Sequence, residues 1–412
     1  MAISGQPATE TLKTGLSPTQ QRPISPVTRA TYHTDKDVPP IMSKHAENAE
    51  PEKTDKPSAK LVAPSLPYLP QDPKSYRPAI GLIGCGAITV EHLAAYRTAG
   101  YNVVALCDLD KEAAKQRQAE FFPDADVYTD HLELLRRDDI EIVDITTHPE
   151  VRAPLITAAL EAGKHVLSQK PFVLDLVVGR RLVDLADKQQ VQLAVNQNGR
   201  WAPHFSYMRH AVAAGYIGKP LAVHAAVHWD HGWVAGTPFE KIKHLILFDF
   251  AIHWFDMLTC VMGDAEPTRV FASTSRSASQ TVKPDLMAQA QIEYDSALAS
   301  LVFDGAVSHG AHDTTYVAGS LGTLRSEGPD HDHQKMTWCV GEQTASPELE
   351  GMWFPDGFHG TMGELMCAIE ENREPTHSGR NNLRSLALCY AAVASAETGE
   401  PVKPGTVEKM PV

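Results

Sequence analysis

Residues 78–110 read PAIGLIGCGAITVEHLAAYRTAGYNVVALCDLD, and no other stretch limits the possible folds as much. A short apolar run at 80–83 meets Gly84, Cys85 and Gly86. A helical pattern follows, then a second apolar run ending at Asp108. Strand, glycine turn, helix, strand and acid, in this order, make half of a mononucleotide-binding unit. Gly84 permits the tight turn and Gly86 lets the backbone approach a pyrophosphate. Beyond them, through Ala87 and Ile88, a helix start offers unpaired N–H groups to an anion. Thr89 stands where a third glycine or an alanine is usual. Asp108 is placed to accept hydroxyl protons from an adenosine ribose and to repel a 2′-phosphate. This predicts NAD, while Lys111 nearby keeps NADP open.

The chain has 412 residues, more than one domain usually holds, so two domains and a tail are expected. A formal net charge of -14 with no basic tract argues against a nucleic-acid partner. The six cysteines are scattered, several within apolar runs, and no C-x-x-C occurs. They read as reduced, buried thiols of a cytoplasmic protein. No apolar stretch has the length of a membrane span, and the first residues lack the basic start and apolar core of a signal peptide. Residues 1–77 are proline-rich, without Phe, Trp or Cys. Disorder is expected for 1–60. The alternative is an arm lying on a partner subunit, anchored by Leu61, Val62, Leu66, Tyr68 and Leu69.

Residues 78–200 form the expected dinucleotide-binding domain. His92, on its first helix, is open between the nucleotide cleft and the helix surface. The apolar run at 140–145 is followed by Thr146, Thr147, His148 and Pro149. Thr146 and His148 therefore sit at a strand's C-terminal end, where open sheets bind ligands. The strand at 165–167 runs into Ser168, Gln169, Lys170 and Pro171. A lysine there, followed by a turn-fixing proline, is a functional candidate.

From 201 the pattern changes to a helix at 203–214 and then strand-like runs at 221–229, 269–275, 288–294, 297–303, 314–317 and 335–340. A mostly antiparallel sheet of five or six strands is expected, with a further short strand near 319–325. Between the first two lies LILFDFAIHWFDML, residues 245–258, helical by periodicity. Asp249, His253 and Asp256 fall at i, i+4 and i+7 on one face. Asp249 beside His253 would orient the imidazole and raise its pKa, suiting a general base, unless the pair is structural. The loop at 229–239 offers Trp229, His231 and Trp233 as substrate-lining groups. His359 is a weaker substrate candidate in a loop at 357–360. The histidine clusters at 228–244, 309–313 and 331–333 match no zinc spacing, so no metal is assigned. A C-terminal helix starting near Asn381 returns toward the first domain. The expected segments are thus 1–77, 78–200, 201–380 and 381–412.

Together GLIGCGAIT, Asp108, QKP at 169–171, GYIGKP, DFAIHWFD, GSLGTLR and REPTHSGRNNL resemble the Gfo/Idh/MocA oxidoreductase family, over about residues 78–405. The resemblance implies an α/β protein, an N-terminal Rossmann domain with a C-terminal α/β domain built on an open, mostly antiparallel sheet whose outer face makes subunit contacts. It implies a catalytic lysine, Lys170, beside the nicotinamide, and a Pro171 that is often cis. Gln169 replaces the usual glutamate. Asp249 and His253 match the family's D-x-x-x-H, while its T-P-N-x-x-H is here TTHPEVR. The implied reaction is hydride transfer from a secondary hydroxyl of a sugar or cyclitol. His253 takes the proton, Lys170 stabilises the oxygen and Asp249 supports His253. Two alternatives stay open: redox-neutral sugar chemistry on a tightly held nucleotide, and a non-catalytic dinucleotide sensor. A homo-oligomer, dimer or tetramer, is expected.

Overall fold

The computed structural model describes residues 61–411. The expected disorder of 1–60 lies outside the described residues. Six parallel strands make the first sheet: β1 (Ala79–Ile83), β2 (Asn102–Cys107), β3 (Asp126–Tyr128), β4 (Ile140–Ile145), β5 (His165–Gln169) and β6 (Leu193–Asn196). Their order is β3-β2-β1-β4-β5-β6. The order reverses between β1 and β4, and this switch opens a crevice at the strands' C-terminal ends. The crossover helices are α1 (Thr89–Ala99), α2 (Lys111–Phe121), α3 (His131–Leu135), α4 (Pro149–Glu161) and α5 (Leu176–Gln189). Near-continuous Ile, Val and Leu in β1, β2 and β4 fit strands covered on both faces. Helix α4 starts at Pro149, because a proline is well placed in a first helical turn.

Helix α6 (Pro203–Ala213) leads to the second sheet: β7 (Pro220–His228), β8 (Pro267–Ser275), β9 (Met287–Tyr294), β10 (Ala297–Asp304), β11 (His312–Gly319), β12 (Thr323–Gly328), β13 (Lys335–Val340) and β14 (Gln343–Ala345). It has eight strands in the order β14-β13-β12-β11-β7-β10-β9-β8, not five or six. The further short strand expected near 319–325 is β12, and the strand without a counterpart is the three-residue β14, which is too short to display alternation. Only β7 and β10 pair in parallel. One face packs on a π-helical turn at Ile246–Phe250, on α7 (Ile252–Met262) and on the C-terminal helix. The other face is open. It carries Phe271, Leu298 and Tyr316, all exposed.

Helix α8 (Trp353–Glu370) packs on α1, and α9 (Gly379–Thr398) packs on α5, α7 and β8. Gly357 to Gly360 is therefore helix rather than loop. The sequence misleads because a Cβ on Gly360 would stand 2.2 Å from the Trp201 ring, so the glycine serves helix packing and not a turn. The C-terminal segment ties the two sheets together, with Val402 bridging to Val270 and Lys409 to Asp175. Residues 61–78 lie on their own chain. Tyr207 Oη donates to Pro64 O at 2.9 Å, Ser206 Oγ to Tyr68 O at 2.6 Å, and Glu370 accepts the Lys74, Ser75 and Tyr76 amides. Leu61, Leu66 and Tyr68 pack against the core, whereas Val62 and Leu69 are exposed. All six cysteines are unpaired, and burial pushes Cys85 and Cys107 up to about 12, leaving them as inert thiols. No helix among the described residues is long and apolar enough to cross a membrane.

Burial sets the acid response of the fold. It pushes His204 and His377 down to about 3, and His165 and His231 down to about 4. Their unfolded pKa is near 6.5, so their neutral burial is fully accommodated above that pH. As pH falls below 6.5 the unfolded chain takes up protons that the folded chain refuses, and stability is lost. Burial raises the Asp313 and Asp356 carboxyls, and these act in the opposite sense. Burial lowers His210, His244, His253 and His331 as well, so eight imidazoles against two carboxyls leave a net loss, about 1.4 kcal/mol per pH unit for each net proton. The urea midpoint should fall steadily from pH 7 to pH 5; an unchanged midpoint would refute the assignment.

Candidate active site

Gly84 has φ 103°, and a Cβ there would lie 2.9 Å from Thr146 Oγ1. Only glycine makes this turn without strain. A Cβ on Gly86 would meet nothing, so the loop is open on the side facing away from the sheet. Thr89 Oγ1 donates to Gly84 O at 2.8 Å, so its hydroxyl braces the turn that a smaller residue usually leaves unbraced. Thr146 Oγ1 donates to the same carbonyl at 2.5 Å. Ile88 precedes α1 and gives it no side-chain cap, and the Val90 and Glu91 amides close onto the Ala87 and Ile88 carbonyls, at 3.3 and 3.1 Å. Asp108 accepts the Cys85 amide at 2.6 Å and the Asp110 amide at 2.8 Å, one on each oxygen. The carboxylate is thereby fixed at the end of β2 with lone pairs to spare. Asp108→Ser should weaken NAD binding about tenfold and raise the relative affinity for NADP, measured by titration with each nucleotide. Unchanged selectivity would remove Asp108 from the ribose site.

Across the crevice, Lys170 follows β5 and is joined to Pro171 by a cis peptide. Its Nζ lies 3.2 Å from Asp249 Oδ2 and donates to Asp249 O at 3.0 Å. The π-helical turn brings Asp249 there. A π turn is wider than an α turn, so Asp249 and His253 do not form the pair that regular helical spacing predicts. Asp249 serves Lys170 instead. His253 Nδ1 has no hydrogen-bond partner, and the imidazole pKa is lowered by burial and then by the Lys170 charge. The expected rise from Asp249 is therefore corrected to a fall. Asp256 leaves the group altogether. It is 1% exposed and binds Arg200 through both oxygens, at 2.5 and 2.7 Å.

Gln169 is buried, and its side chain is fully engaged. Its Oε1 accepts the Lys170 amide at 2.6 Å, which turns Nε2 toward His92 Nε2 at 3.0 Å. Asn196 Nδ2 donates to the same ring nitrogen at 3.1 Å. With Nε2 accepting, the His92 proton resides on Nδ1 and is donated to Asp144 Oδ2 at 2.7 Å. Tyr96 Oη also donates to that oxygen, at 2.7 Å. His92 thus lies in neither position left open for it; it is a buried link from α1 to β4 and β5. An ionised glutamate at 169 would set acceptor against acceptor at His92 Nε2, so the glutamine amide suits that contact. Arg152, 1% exposed, donates to the Thr147, Gln169 and Pro171 carbonyls and clamps the loops after β4 and β5. It sits where the related pattern has histidine, and burial pushes it down to about 9.

Of the substrate candidates, Trp229 and His231 stack at 6.1 Å and both pack on Phe250, next to Asp249. Trp233 turns outward onto Phe239. His359 is elsewhere: its Nε2 lies 3.0 Å from Asp72 Oδ1, which also accepts Tyr101 Oη. His148 is exposed at the start of α4, and no metal-binding group occurs among the described residues. The sequence reading missed Asp144, Asn196, Arg152 and Trp353. Asp144 carries a signal, a carboxylate in the middle of an apolar strand that demands a buried partner.

Residues 79–197 match the model of the oxidoreductase family with an NAD-binding Rossmann fold, and residues 205–325 match the GFO/IDH/MocA C-terminal domain. A D-apiose dehydrogenase of Paraburkholderia graminis is 28% identical over 340 residues, covering 79% of this chain and 90% of that protein. An inositol 2-dehydrogenase of Rhizobium meliloti is 28% identical over 332 residues, covering 76% and 96%. Among solved structures, an oxidoreductase from Agrobacterium radiobacter, in complex with NAD+, L-tartaric acid and magnesium, superposes with a TM-score of 0.73. It is 21% identical, and the match covers 80% of this chain and 99% of that one.

Proposed function

The chain belongs to the Gfo/Idh/MocA oxidoreductase family with an NAD-binding Rossmann domain, and from that premise we propose that it oxidises a secondary hydroxyl of a sugar or cyclitol. The observation that carries the reading is the Lys170–Asp249 pair, with the half-buried His253 imidazole close enough to feel the lysine charge. The open loop at Gly86, the uncapped start of α1 and the fixed Asp108 carboxylate suit the pyrophosphate and ribose of NAD. NAD, when bound, supplies the hydride acceptor. The protein handles the proton and the charge. His253, neutral because burial disfavours its cation, accepts the hydroxyl proton on its imidazole. Lys170 donates a hydrogen bond to the same oxygen and stabilises its developing negative charge, while Asp249 fixes the ammonium in place. Trp229 offers an apolar ring face for the C–H side of a polyol.

Freshly purified protein should be analysed for retained nucleotide, stripped, titrated with NAD, and assayed at 340 nm with sugars and cyclitols including inositol and D-apiose. Micromolar NAD binding with turnover of a panel member supports the proposal. Nucleotide that survives dialysis would favour redox-neutral chemistry, and binding without any turnover a sensor. The open sheet face with Phe271, Leu298 and Tyr316 suits contact with a second copy of the chain. The unpaired cysteines suit a reducing, cytoplasmic location.

A further inference from the structure

We propose that His331 is the residue by which the second domain recognises a substrate hydroxyl neighbouring the one oxidised, an inference that rests on the sugar-or-cyclitol reading above. His331 lies in the loop between β12 and β13. The loop is tightly built. Asp330 Oδ1 accepts the Asp332 amide at 2.9 Å and the His333 amide at 2.8 Å. Asp332 Oδ1 accepts the Trp353 amide at 2.7 Å, fastening the loop to the start of α8. The other Asp332 oxygen lies 3.3 Å from His331 Nε2.

That contact is electrostatic and makes no hydrogen bond, so the ring of His331 keeps a nitrogen available to accept one from a ligand. The ring itself is held among aromatic neighbours, 5.1 Å from Trp229 and 5.3 Å from Trp353 between ring centres. Trp353 is the common wall. Among its other ring contacts is His253, edge to face at 5.4 Å, and its own Nε1 donates to Asn198 Oδ1 at 3.0 Å. His253 and His331 thus both pack on one immobilised indole. Burial lowers the pKa of both, which keeps both as neutral acceptors. A polyol presents what this arrangement lacks: C–H faces for the indoles, one O–H for His253 and a second O–H for His331. A monofunctional alcohol would leave His331 unused. The site therefore selects for vicinal or near-vicinal hydroxyls.

The test is calorimetric titration of the NAD-loaded protein with inositol and with D-apiose, which needs no turnover. His331→Phe fills the space between Trp229 and Trp353 but has no acceptor. It should weaken polyol binding about tenfold, as expected for one buried hydrogen bond. His331→Gln retains an acceptor and should lose less. NAD affinity and the urea midpoint should match wild type in both variants. Equal polyol affinity in wild type and His331→Phe overturns the assignment while leaving the proposed function standing. A parallel loss of NAD affinity or stability in both variants overturns it in favour of a packing role. A wild type that binds NAD but neither polyol removes the substrate class itself, and His331 with it.

Discussion

Lys170→Ala should lower kcat by about a thousandfold or more while changing NAD affinity by less than about threefold. The asymmetry follows from position. The glycine turn, the α1 start and Asp108 lie at the ends of β1 and β2. Lys170 lies after β5 and reaches toward Asp249 of the second domain. Removing its ammonium takes away a fixed cation beside the hydroxyl that loses its proton, and leaves the Asp249 carboxylate facing a developing negative charge. Both changes oppose the transition state, and neither touches the nucleotide phosphates. Lys170→Arg should not restore the rate, because a planar guanidinium cannot occupy the point donor's place between Asp249 O and Asp249 Oδ2. Asp249→Asn should cost less, about ten- to a hundredfold, since it loosens the lysine without removing it. Steady-state kinetics and NAD titration of the three variants check this. A Lys170→Ala enzyme within tenfold of wild-type kcat would show that the lysine is not at the reacting oxygen.

The residues that carry this argument were unequally legible in the sequence. Gly84, Gly86 and Asp108 announce themselves because backbone geometry demands glycine and because a strand-terminal acid has few other uses. Lys170 is visible for the same reason, as a charge at a strand end followed by proline. The pairing of Asp249 was misread because sequence periodicity assumes a uniform helix, and one π-helical turn is enough to redirect a side chain from His253 to Lys170. Gln169 and His92 were each seen, but their relation was not. They are 77 residues apart and meet only because α1 packs over β5. Trp353 and His331 illustrate the same limit. Their roles depend on a loop of the second sheet reaching the start of α8, and no local pattern encodes that contact. The sheet itself was legible through alternation, as the burial of every second residue in β9 and β10 shows, whereas its edge strand was too short to alternate.

Asp256→Ala should destabilise the protein by about 3–5 kcal/mol, the range for breaking a buried ion pair. Asp256 and Arg200 are 1% and 3% exposed, so neither charge can turn to water when its partner is removed. Arg200 also donates to Thr376 O and Asn381 Oδ1, and Ser385 Oγ donates to Asp256 Oδ1 at 2.8 Å. The pair thus links α7, the turn after β6 and the start of α9, where the second domain meets the first. Burial alone would lower the Arg200 pKa, and the Asp256 carboxylate outweighs it; when the acid is gone that support is lost, but the intrinsic basicity of the guanidinium keeps it charged. The penalty is then that of an uncompensated cation, and it is a large share of the roughly 5–15 kcal/mol that a folded domain possesses. Replacing both partners by apolar residues of similar volume, as in the Arg200→Met, Asp256→Leu pair, should recover much of the loss, because it removes the desolvated charges together. Urea unfolding of the single and double variants separates the two contributions. A single-variant loss below about 1 kcal/mol would mean that water reaches Arg200 and that the seam between the domains is looser than its hydrogen bonds imply.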